Sequence, residues 1–128
     1  MIAGFAAVGL GAALGAWLRW GLSAWLNLRV PSFPLGTLAV NVLGSFVIGF
    51  FATHTGPDGR WLVPQAGRTF FMAGLCGGFT TFSSFSLQTL DLMQRESWLH
   101  AGGNVAASVL LCLTAVWLGH CLALLLNR

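Results

Sequence analysis

Residues 1–18, 30–57, 69–90 and 97–127 contain no Asp, Glu, Lys or Arg. Each run is long enough to cross about 30 Å of hydrocarbon as a helix. The pattern predicts four transmembrane helices joined by loops near 26–34, 54–68 and 93–98, all within one domain spanning 1–128. Prolines punctuate the first loop, and Gly, Pro and Asp the second. The first apolar run has no Lys or Arg ahead of it and continues as Trp17-Leu18-Arg19-Trp20, an amphipathic end suited to a membrane interface. It is therefore read as a retained helix, not a cleaved signal peptide.

Polar residues inside these runs are the informative exceptions. In helix 2, Thr37, Asn41, Ser45 and Gly49 recur every four residues and place a polar stripe on one face. Such a stripe serves either interhelical hydrogen bonding or a polar path. In helix 3, Gly77 and Gly78 precede Phe79-Thr80-Thr81-Phe82-Ser83-Ser84-Phe85-Ser86. Adjacent glycines invite a break in mid-membrane. The first half would then end in free carbonyls, which attract a cation such as Na⁺, and the second would begin with free N–H groups near Thr80 and Thr81, which attract an anion. The competing reading is an unbroken helix in which Gly74 and Gly78 form a GxxxG packing pair. Phe79, Phe82 and Phe85 recur every three residues, with Thr80, Thr81, Ser83 and Ser84 between them. The positive edge of a phenyl ring can meet an anion without a formal charge, and the hydroxyls need partners within the bilayer. Helix 1 carries Gly11 and Gly15 in GxxxG spacing, with Arg19 one turn on. That arginine either snorkels to the interface or faces an aqueous vestibule. Asn104, Ser108 and Thr114 put further polar groups on helix 4.

Composition narrows the function. The chain of 128 residues is 56% hydrophobic and 7% charged, against about a quarter charged in soluble domains. A pI near 9.3 rests on six scattered arginines with no lysine, so no basic patch exists for nucleic acid. Cys76, Cys112 and Cys121 form no CxxC and are read as packing residues; His54, His100 and His120 fall near helix ends. Asp58, Asp91 and Glu96 lie away from the span centres, so the titrating carboxylate of a proton-coupled carrier is missing, as is acid/base machinery for an enzyme. With the N-terminus on side A, Arg60, Arg68 and Arg128 share that side, while Arg19, Arg29 and Arg95 fall on side B. An even split gives no strong orientation signal. Together with the few helices available to enclose a pore, it suggests an antiparallel dual-topology homodimer.

The segments 11–19 (Gly-Ala-Ala-Leu-Gly-Ala-Trp-Leu-Arg), 36–46 (Gly-Thr-Leu-Ala-Val-Asn-Val-Leu-Gly-Ser-Phe) and 74–86, which holds the Phe/Thr/Ser run, together resemble the bacterial Fluc fluoride channels, also called CrcB proteins. The resemblance implies an antiparallel homodimer with two pores and a central structural Na⁺. It also implies passive export of cytoplasmic fluoride across the bacterial inner membrane, and hence fluoride resistance. By position, Asn41 would be the pore asparagine, Phe82 and Phe85 the rings facing fluoride, and Gly77 and Thr80 the residues whose carbonyls hold Na⁺. Arg19 matches the arginine ending the first motif, and Ser108 falls where a helix 4 hydroxyl lines the pore; Thr81 and Ser84 supply hydroxyls beside the rings. Gln88 departs from the Glu common in the family. Two alternatives differ in class. A small dual-topology drug or metabolite transporter would need an embedded carboxylate, and a helical scaffold would leave the Thr/Ser/Phe run without a use.

Overall fold

A computed structural model describes residues 2–128, all of whose regular structure is helical. The elements are α1 (Ile2–Asn27), α2 (Leu35–His54), α3 (Gln65–Thr69), a π-helical segment (Phe70–Cys76), α4 (Gly77–Phe79), α5 (Phe82–Gln94) and α6 (Trp98–Asn127). Four spans result, because α3 to α5 form one apolar stretch of 30 residues, Gln65–Gln94. At 1.5 Å per residue, the shortest span, the 20 residues of α2, still covers about 30 Å. Large apolar side chains such as Phe5, Leu10, Trp17, Leu110 and Leu125 point outward. That is the expected surface of a chain solvated by lipid, and the chain is a multi-pass membrane protein.

With lipid outside, burial offers no hydrophobic gain between helices, and small residues that admit close approach hold them together. A Cβ on Gly74 would lie 2.9 Å from the Gly11 Cα, and one on Gly15 would lie 2.7 Å from the Phe79 nitrogen. These glycines let α1 sit directly against the π segment and α4. On the other side, α2 packs along α6: Gly49 meets Val116, and Gly119 meets the backbone of Phe46 and Phe50. The Asn27 side chain accepts from the Gly36 N–H at 2.9 Å, joining the end of α1 to the start of α2.

The two ends of the molecule treat their arginines differently. At the end carrying His54 and Asn127, Arg68 donates to the Thr55 carbonyl and hydroxyl, and Arg60 Nη1 donates to the Leu126 carbonyl at 3.0 Å. Both therefore sit on helix C-termini, where the macrodipole favours positive charge. At the other end, Arg29 lies over the Trp25 ring at 4.9 Å, and Arg95 borders a cavity of about 440 Å³ together with Asn27, Phe33, Gln88 and Asp91.

Candidate ion pathway

Gly77 and Gly78 are helical; the chain leaves helical geometry just after them, at Thr80 (φ −93°, ψ 158°) and Thr81 (φ −155°, ψ 117°). The glycines are engaged in packing, since a Cβ on Gly78 would lie 2.8 Å from the Ala12 Cα. Asn41 of α2 occupies the point where the helix lapses. Its Nδ2 donates to the Thr81 carbonyl at 3.0 Å, and the Thr81 N–H donates to its Oδ1 at 2.7 Å. The side-chain amide thus takes the N–H that a continuing helix would have bonded to Gly77, and bonds the Thr81 carbonyl as well.

Two consequences follow for the surrounding backbone. Because the Thr81 N–H is directed to Asn41, the Gly77 carbonyl has no donor four residues on. The Ser84 N–H likewise donates to the Thr81 hydroxyl at 3.2 Å, an N-cap on α5, and so does not reach the Thr80 carbonyl. Both carbonyls are therefore available to a ligand. Thr80 keeps its own hydroxyl on the Cys76 carbonyl at 3.0 Å.

Beside this interruption lies a cavity of about 420 Å³. Its polar wall includes Asn41, Ser45, Thr80, Thr81 and Ser108, and its aromatic wall is Phe82 and Phe85. The two ring centroids are 5.2 Å apart and tilted by 54°. Phe85 is 9% exposed while Phe82, at the cavity edge, is 78% exposed. Ser108 reaches the cavity from α6 with a buried hydroxyl that has no hydrogen-bond partner. Ser84 Oγ accepts from the Thr81 hydroxyl at 3.1 Å, which leaves its own proton to donate. No carboxylate lines the cavity. Asn104, 2% exposed, donates to the Thr89 hydroxyl at 2.9 Å, which in turn donates to the Phe85 carbonyl at 2.8 Å; this chain fixes α5 against α6 next to the rings.

Of the residues singled out from sequence, the fold brings Asn41, Gly77, Thr80, Thr81, Phe82, Phe85 and Ser108 to this one cavity, with Ser84 bonded to Thr81. Arg19 lies near the far end of α1 and borders neither cavity. Phe79 does not join the ring pair. It packs between α1 and α2 near Gly15 and Gly44, because the two extended residues rotate it away from Phe82. The Thr89–Asn104 link and Met72 carry no signal in the sequence, and Cys76 and Cys112, read there as packing residues, line the cavity. The 15-residue separation of Thr89 and Asn104 across a loop leaves no local spacing signal.

A four-helix membrane protein with a polar, carboxylate-free cavity at a helix interruption is of the class that conducts small ions. The family described as CrcB-like protein, Camphor Resistance (CrcB), matches residues 6–120. A protein of Paramagnetospirillum magneticum named fluoride-specific ion channel FluC is 58% identical over 97% of this chain and 98% of its own length. Relatives of the same name in Opitutus terrae and Methylocella silvestris are 58% and 52% identical, covering 94% and 93% of this chain and 92% of each relative. The chain belongs to the CrcB family.

Proposed function

We propose that this chain is a passive, fluoride-selective channel that lets cytoplasmic fluoride out across the bacterial inner membrane and so confers fluoride resistance. The observation that carries the reading is the Thr80–Thr81 interruption, held by Asn41 and opening on a wall of uncharged donors. The relatives' name, fluoride-specific ion channel, agrees with it.

The chemistry follows from what each group has left to offer. Asn41 uses one Nδ2 hydrogen on the Thr81 carbonyl and keeps the other for an anion. Ser108 has an unpartnered hydroxyl, and leaving such a group buried and unbonded costs about 1–3 kcal/mol. An anion in the cavity relieves that cost. The edges of Phe82 and Phe85 add weak positive potential with no fixed charge to trap the ion. Fluoride is small and strongly hydrated, so close donors favour it over chloride, and neutral ones let it leave.

The working unit in this reading is an antiparallel homodimer with two pores. The even split of arginines between the two ends supports dual topology, and the exposed ring of Phe82 at the cavity edge supports a second copy completing each pore. Helix 3 is then broken in mid-membrane, and the Gly77 and Thr80 carbonyls, relieved of their helical donors, fit a structural Na⁺ at the dimer centre. That ion would supply positive charge to join two sets of carbonyls that otherwise repel.

The test is efflux from liposomes holding the purified chain, loaded with potassium fluoride or potassium chloride and started with valinomycin. Fast fluoride loss with negligible chloride loss is expected. Equal loss of both anions would remove selectivity from the reading, and absence of fluoride loss would remove the channel.

A further inference from the structure

Three of the chain's six sulfur-bearing side chains, Met72, Cys76 and Cys112, line the same cavity as Asn41 and Ser108. They come from two walls. Met72 and Cys76 belong to the π segment, and Cys112 belongs to α6. In a π helix the backbone bonds run to the fifth residue, as the Gly77 N–H to the Met72 carbonyl does, so residues four apart lie nearly one turn above each other on one face. Met72 and Cys76 are thus neighbours on the wall of a cavity that Cys112 also lines. Cys76 is 3% exposed and Cys112 half-buried, and neither is in a disulfide.

We propose that this sulfur cluster is a binding site for a soft, low-coordinate metal cation, of the Ag⁺, Cu⁺ or Hg²⁺ class, and that occupancy blocks the cavity. Soft thiolate and thioether donors select such cations over Na⁺, Mg²⁺ or Ca²⁺. Among the described residues no three His, Cys, Asp or Glu side chains converge, so a four-ligand zinc-type site is not on offer. Two thiols and a thioether suit a cation content with two or three sulfurs. On binding, each thiol that becomes a ligand exchanges its proton for the metal, and the proton leaves to the aqueous buffer. The cavity is about 420 Å³, so a bound metal there lies within reach of the donors assigned to fluoride. The blocking part of the proposal rests on the fluoride-channel reading; the binding part does not.

The probe is Ag⁺ added as nitrate in chloride-free buffer, with two readouts on the purified full chain. Fluoride efflux from liposomes measures block, and silver retained per chain after desalting measures binding. Wild type and Cys121→Ser, whose thiol lies outside the cavity, are expected to retain silver and to lose fluoride efflux at micromolar Ag⁺. Cys112→Ser, at the half-buried wall, and Cys76→Ala are each expected to need at least about tenfold more Ag⁺ for both effects, the tenfold corresponding to about 1.4 kcal/mol. Silver retention equal in wild type and in the Cys76→Ala/Cys112→Ser double variant would overturn the site. Retention without any slowing of fluoride efflux would overturn the block. A wild-type chain that retains silver through these cysteines yet moves no fluoride even without Ag⁺ would leave the binding site standing and remove the channel reading instead.

Discussion

The third span, Gln65–Gln94, is built from two unlike halves. Residues 65–79 carry Gly67, Gly74, Gly77 and Gly78, and the glycines Gly74 and Gly78 press against α1 so closely that a methyl group at either would meet backbone. Phe71 in this half stacks on Phe51, with centroids 4.0 Å apart. The second half, α5, has no glycine, shows Phe82 and Ser83 outward, and carries serine hydroxyls whose bonds run to their own turn or to Thr81, with Thr89 alone linked to α6. The α1-facing side of the first half, Gly74 and Gly78, is committed to packing, while the second half leaves part of its bonding capacity open. Asn41 marks the seam between them by satisfying the Thr81 backbone itself. Substitutions on the first half should therefore damage folding, and those along the second half and its seam should damage conduction in a protein that still folds.

The sharpest way to break this contrast is Gly15→Val. Its Cβ would lie 2.7 Å from the Phe79 nitrogen and 3.0 Å from the Gly78 carbonyl carbon. Backbone on both sides cannot yield as a side chain would, so overpacking should exceed the usual range of about 1–3 kcal/mol. Little folded protein should survive purification, as read by size-exclusion chromatography in detergent. A monodisperse variant at wild-type yield would show that the close α1 contact is dispensable.

Asn41→Asp is expected to leave a folded protein that conducts about a thousandfold less fluoride. A carboxylate keeps the acceptor for the Thr81 N–H but cannot donate to the Thr81 carbonyl. A fixed charge 4 Å from a passing anion costs about 4 kcal/mol at an effective dielectric constant of 20, which sets the thousandfold figure. Undiminished efflux would place Asn41 off the path and make it purely a clamp. Phe82→Ile and Phe85→Ile come next, with about a tenfold drop each, or about 1.4 kcal/mol, from losing the positive ring edge. Phe71→Ile should conduct normally and melt earlier, because it loses its stack on Phe51. Equal efflux from all three would erase the distinction between the halves.

Much of this was legible without coordinates. Charge-free runs marked the four spans, and the polar stripe on helix 2 together with the Thr/Ser/Phe run drew attention to Asn41, Thr81, Phe82 and Phe85. A second half starting near Thr80 and Thr81 was legible, but not that Gly77 and Gly78 themselves stay helical. Adjacent glycines signal backbone freedom, but freedom serves close packing as well as unwinding, and only the neighbouring α1 decides which. The non-helical residues are Thr80 and Thr81 because Asn41, 40 positions away, supplies the bonds that the helix gives up. A three-residue spacing likewise grouped Phe79 with the ring pair, and two extended residues undid that register. The sulfur-bearing wall was hidden for a similar reason, since Cys76 and Cys112 line one cavity only through the packing of separate spans.

Ser108→Ala is the mildest test and the most discriminating, because the two roles of a polar group predict opposite signs. If Ser108 served packing, its hydroxyl would be bonded, and its removal would destabilise the protein. Instead the hydroxyl is buried with no partner, a state that lowers stability by about 1–3 kcal/mol. Alanine fills nearly the same space without that burden, so the variant should unfold at a higher temperature than wild type. It should also conduct fluoride a few-fold more slowly, since the anion loses one donor worth about 0.5–1.5 kcal/mol among several. A variant both more stable and slower would mark Ser108 as a group kept unsatisfied for the ion. A variant less stable with unchanged efflux would move Ser108 to the packing side of the comparison.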